Sequence, residues 1–74
     1  MVIYVKSMYD VRQLLKKFGV FIYTGTKIGD VELMEMEIRE LYDLRIISVR
    51  EFQHAMLIIQ NEKSHIKKIG FNER

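Results

Sequence analysis

The side chains able to do chemistry in this 74-residue chain are few, and their spacing limits what they can do. His54 and His65 stand eleven residues apart, which on one helix separates them by about 16 Å along the axis and keeps them from sharing a metal ion. Each has a single glutamate three residues before it, Glu51 and Glu62, but no second histidine within a turn, fewer ligands than a metal site needs. The serines are Ser7, Ser48 and Ser64, and there is no cysteine. Ser7 and Ser48 are better explained as helix caps, so a nucleophile–base pair is not expected. Glu32, Glu35, Glu37 and Glu40 read as a solvated helix face favoured by the dipole, since paired acid–base work needs a cleft. The expectation is a protein without catalytic residues, metal or cofactor.

The pattern with most functional content lies in the first third of the chain. Tyr4, Lys6, Tyr9, Arg12, Lys16, Lys17, Tyr23 and Lys27 interleave rings with cations. Single-stranded nucleic acid is bound by such a mixture, because bases stack on rings while Lys and Arg follow the phosphates. The candidate nucleic-acid-binding residues are Tyr9, Arg12, Lys16, Lys17, Tyr23 and Lys27, with Tyr9, Arg12, Gln13 and Lys16 on one outward helix side. Tyr23-Thr24-Gly25-Thr26-Lys27 adds backbone N–H groups and hydroxyls suited to a phosphate, yet without the spacing of a Walker loop. The alternative function is protein association through the apolar face of helices 2 and 3, where Met34, Met36 and Met56 offer adaptable contact surface.

Three helices must position these residues. Ser7 caps the first, about 8–18, with Met8, Val11, Leu15 and Phe18 at helical spacing and Leu14 beside them; Gly19 stops it. Val20-Phe21-Ile22-Tyr23 is a short apolar run that reads as an extended connector over the core. It could pair with Ile3 to Val5 or with another chain. Asp30 is the expected cap of the second helix, about 31–45, whose face is Val31, Met34, Ile38, Leu41 and Tyr42; Glu35 and Arg39 can pair across one turn. Ser48 and Glu51 form a capping box for the third helix, about 49–69, with Ile47 and Phe52 as a hydrophobic staple. That helix buries Phe52, Ala55, Met56, Ile59 and Ile66, and Gly70 is expected to end it. Its last turns, with Lys63, Lys67 and Lys68, are expected to project beyond the bundle.

The totals agree with a single domain over 1–74, all-α, a three-helix bundle with an extended connector between helices 1 and 2. The apolar fraction is 49%, high for so small a helical domain, and leaves room for a homo-oligomer or a protein partner. Lack of cysteine, of a signal peptide and of a long apolar span suggests the cytoplasm and no membrane. Net charge is +4 over residues 1–27, −4 over 28–51 and +2 over 52–74, so the chain does not encode a uniform polyanion-binding surface.

Tyr9-Asp10-Val11, Gln13-Leu14-Leu15, Gly19, Phe21-Ile22-Tyr23-Thr24-Gly25, Leu41-Tyr42, Glu51-Phe52-Gln53 and Leu57-Ile58 resemble the YqgQ-like small proteins of low-GC Gram-positive bacteria. The resemblance covers about residues 7–62, and the Phe-Ile-Tyr-Thr-Gly string is its most specific part. It implies a mostly helical three-helix bundle and, by structural analogy, single-stranded nucleic-acid binding, with no family active site to carry over.

Overall fold

The computed structural model describes the backbone of residues 5–72 and the side chains of residues 5–66. It contains α1 (Met8–Lys17), α2 (Lys27–Asp43) and α3 (Val49–Asn72), and no strand occurs among the described residues. The all-α three-helix bundle is therefore as expected, and Val20–Tyr23 is an extended connector. Ile3 and Tyr4, and the side chains of Lys67, Lys68 and Ile69, lie outside the described residues. No described helix is long and apolar enough to cross a membrane.

Each helix begins on a polar side chain. In α1 the Ser7 hydroxyl accepts from the Asp10 N–H at 3.4 Å, and the Asp10 carboxylate accepts from the Lys6 N–H at 2.9 Å. In α3 the capping box is complete: Ser48 Oγ accepts from the Glu51 N–H at 3.1 Å, and Glu51 Oε1 accepts from the Ser48 N–H at 2.9 Å. The start of α2 differs from expectation. Thr26 is its cap, accepting from the Gly29 N–H at 3.1 Å, and Asp30 lies inside the helix. Threonine satisfies an early N–H as aspartate would, and this releases Asp30 for tertiary contacts.

The first two helices end in the same hydrogen-bond pattern. After α1, Gly19 N–H donates to the Lys16 carbonyl and Val20 N–H to the Leu15 carbonyl, both at 2.9 Å, with Gly19 at φ +80°. After α2, Arg45 N–H donates to Tyr42 at 2.9 Å and Ile46 N–H to Leu41 at 2.8 Å. These are Schellman motifs, and the left-handed position in the second is held by Arg45 at φ +61°. Gly70 does not end α3, which continues to Asn72. A glycine inside a helix costs only about 1 kcal/mol relative to alanine and does not by itself stop propagation.

Val11, Leu14 and Leu15 of α1, Met34 and Ile38 of α2, and Ala55 and Ile59 of α3 meet in one core, closed by Val5 and Ile47. Phe52 stacks on Tyr42 with ring centroids 4.2 Å apart. The α2–α3 seam also carries charge. Glu35 accepts from Lys63 at 2.8 Å, from Arg39 at 2.9 Å and from Gln60 at 3.3 Å. Lys63 thus folds back onto α2 instead of projecting, and Glu35 is no solvated face residue: opposite charges on facing helices outweigh the exposure that the α2 sequence alone suggests.

Replacing Arg45 with glycine removes the cost of a β-carbon in the left-handed region. Arg45→Gly should raise unfolding free energy by about 1 kcal/mol, read from chemical denaturation, while Gly19→Ala should lower it by a similar amount.

Candidate nucleic-acid interface

The connector between α1 and α2 alternates in burial as an extended chain must. Val20 and Ile22 pack against the core, while Phe21 is 75% and Tyr23 90% exposed. Tyr9, 67% exposed, and Lys16 lie on the outward side of α1. Phe21 stands with Lys16 and Arg12 around a shallow cleft of about 100 Å³ that has Leu15 and Met34 in its wall. The Lys17 ammonium lies 5.9 Å from the centroid of the Phe18 ring, inside cation–π range.

What holds the connector in place is a polar node. Arg12 Nη1 donates to the Ile22 carbonyl at 3.2 Å and Nη2 to Asp30 Oδ2 at 3.1 Å. The other oxygen of Asp30 accepts the Thr24 N–H and the Thr24 hydroxyl, each at 2.7 Å. Asp30 is buried, and no buried side-chain polar atom among the described residues lacks a partner. Gly29 makes this approach possible. A β-carbon there would lie 2.5 Å from the Thr24 hydroxyl oxygen and 2.7 Å from that of Thr26, closer than atoms can come.

Two of the expected cations are thus engaged within the molecule. Arg12 is a clamp between α1, the connector and α2, although its side chain still borders the cleft. Lys27 pairs with Glu62 of α3 at 3.3 Å while its side chain stays largely exposed. Tyr9, Lys16, Lys17 and Tyr23 remain on the surface without such a partner among the described residues. Phe21 joins them: the extended connector is expected from the sequence, and its period of two puts Phe21 on the same face as Tyr23, a consequence that the apolar character of the run hides. His54 and His65 are both exposed on α3, and the described residues hold no cluster of three His, Asp or Glu side chains that could bind a metal.

The fold and this surface define a small three-helix protein with an aromatic and basic connector face. A sequence profile of the YqgQ-like family matches residues 5–65, and the chain belongs to that family. The chain is 34% identical over 61 residues to the "Uncharacterized protein YqgQ" of Bacillus subtilis (strain 168), covering 82% of this chain and 86% of that protein. No solved structure matches it.

The node is sensitive to acid in a defined direction. Thr24 hydroxyl and amide donors, with a smaller effect from Arg12, hold Asp30 below its ordinary 3.8 against the opposing effect of burial. Lys63, then Arg39, likewise hold Glu35 below 4.5. A lowered folded pKa means that the unfolded chain binds more protons on acidification, so the contribution is full at neutral pH and is lost as pH falls through the folded values. The thermal midpoint should fall below about pH 5, and Asp30→Asn and Glu35→Gln should each lower it at pH 7 and flatten its acid limb. Acid limbs parallel to the wild type, followed by circular dichroism, would show that these carboxylates are not the groups titrating.

Proposed function

We propose that this protein is a non-enzymatic cytoplasmic module that binds single-stranded nucleic acid across α1 and the connector. The observation that carries this reading is the pair of outward rings, Phe21 and Tyr23, two residues apart on an extended strand of backbone beside Lys16 and the cleft. Successive side chains on the same face of an extended segment are about 7 Å apart, which suits rings that hold neighbouring unstacked bases. Lys16 and Lys17 then meet the phosphates, and Tyr9 extends the ring surface along α1. Arg12 acts mainly by fixing the connector's path, and Lys27 is not part of the contact. The acidic groups of α2 limit the footprint to one side of the molecule, so a short single strand fits better than a long duplex.

Binding of fluorescent oligo-dT or oligo-U at about 50 mM salt should weaken steadily as salt is raised. Lys16→Ala with Lys17→Ala should weaken it about tenfold, and Phe21→Ala with Tyr23→Ala by at least as much through lost stacking. Arg12 is left intact in these variants because its loss would release the connector. A titration with no change in anisotropy at low salt would overturn the reading.

The second reading, protein association, has its own support on another face. Leu57 is 70% exposed on α3, on an open and mainly apolar surface shared with Phe52, Gln53, His54, Met56 and Gln60.

A further inference from the structure

We propose that the cleft beside Phe21 selects uracil and thymine over the other bases, with Arg12 and Lys16 donating to the two carbonyls of one base. The inference rests on the nucleic-acid reading and names the class of single strand that this surface takes.

The hydrogen-bonding side chains of the cleft set its chemistry. Arg12 and Lys16 line it, while its other described side chains, among them Leu15, Phe21 and Met34, are apolar. A guanidinium and an ammonium donate hydrogen bonds and never accept them. Two of the five Arg12 N–H donors are engaged by Ile22 and Asp30, so the group still has donors for a ligand. The Ile22 carbonyl in the same wall already accepts from Arg12, and the Asp30 carboxylate behind it is held by Arg12 and Thr24. A ligand's carbonyl oxygens are therefore met by donors, whereas a ligand's amino group finds these acceptors taken and faces a cation.

Spacing turns this into a choice among bases. Arg12 and Lys16 stand one turn apart on α1, about 6 Å along its axis, and both border the cleft. An unstacked base is read along its Watson–Crick edge. Uracil and thymine carry a carbonyl oxygen at each end of that edge, with a single N–H between them, so each cation receives an acceptor. Cytosine and guanine have a carbonyl at one end and an amino group at the other, and adenine has an amino group and no carbonyl. The cleft holds about 100 Å³, roughly the room of three water molecules, which admits the edge of one ring and leaves the ring face for Phe21. Lys16 has three donors, so one can meet a base carbonyl while another stays on a phosphate. Lys17 does not line the cleft and serves phosphates alone.

Fluorescence anisotropy with oligo-dT, oligo-dU and oligo-dC of one length, at about 50 mM salt and neutral pH, reads this directly. Oligo-dC is the discriminating comparison, because its backbone and ring size match those of oligo-dU while an amino group replaces one terminal carbonyl. Oligo-dT and oligo-dU should bind about fivefold or more tighter than oligo-dC. Lys17→Gln should weaken all three by a similar factor and keep the preference. Lys16→Gln removes the same charge but sets an amide at the cleft, which accepts as well as donates, and should narrow the preference to within about twofold. Both lysines are exposed on α1, so circular dichroism should show unchanged helix content. Equal binding of oligo-dU and oligo-dC would overturn the proposal and leave the nucleic-acid reading standing, as would a preference that survives Lys16→Gln intact. Oligo-dU falling to the level of oligo-dC while oligo-dT binds well would overturn it in favour of contact with the thymine methyl group. Binding of none of the three would overturn both readings.

Discussion

Asp30 receives three donors from two segments that are distant in sequence, and the position of the connector depends on it. Its carboxylate is held by Thr24 on one side and by Arg12 on the other, while Arg12 also grips the Ile22 carbonyl. A buried carboxylate without these partners would be costly; with them it joins α1, the connector and α2 in one polar contact. Thr26 takes over the capping task at the start of α2, and Gly29 leaves the space through which the two threonine hydroxyls approach. The local sequence from 24 to 30 is thereby explained as one unit: two threonines, a glycine and an aspartate that together bring the connector against the bundle.

This arrangement decides which aromatic rings face solvent. Ile22 is fixed by its carbonyl bond to Arg12 and by packing on the core, so the alternation of an extended chain turns its neighbours Phe21 and Tyr23 outward. The proposed ligand surface thus depends on a residue, Arg12, whose main bonds are internal. Arg12 borders the cleft and at the same time orients the rings that would hold a ligand's bases.

Much of the architecture was legible because helix signals are local. Ser7, Ser48 and Glu51 act within a turn of their own positions, and Gly19 meets a backbone conformation that favours its residue type. The departures arise where a side chain is engaged by something distant in sequence. Asp30 has the composition of a cap but is bound by Arg12 eighteen residues earlier, and Glu35 looks solvated until Lys63, twenty-eight residues later, lies across it. Arg45 carries no signal for a left-handed turn and adopts one where its own N–H and that of Ile46 close onto the last carbonyls of α2. At the candidate site, Tyr9, Lys16, Lys17 and Tyr23 were legible as exposed ring and cation types. The internal roles of Arg12 and Lys27 were not, since both depend on carboxylates from another helix.

The bundle and the connector are held by different kinds of force. α2 and α3 share an apolar seam that runs from Tyr42 and Phe52 to Ile38 and Ile59, whereas the connector packs Val20 and Ile22 against the core and is otherwise fastened through Asp30. Such a molecule has two tiers of opening. The connector can lift while the long helices stay paired, so its amide hydrogens exchange with solvent through a local fluctuation rather than through global unfolding. The segment that bears the outward rings is then also the part of the chain that can adapt its shape without disturbing the rest.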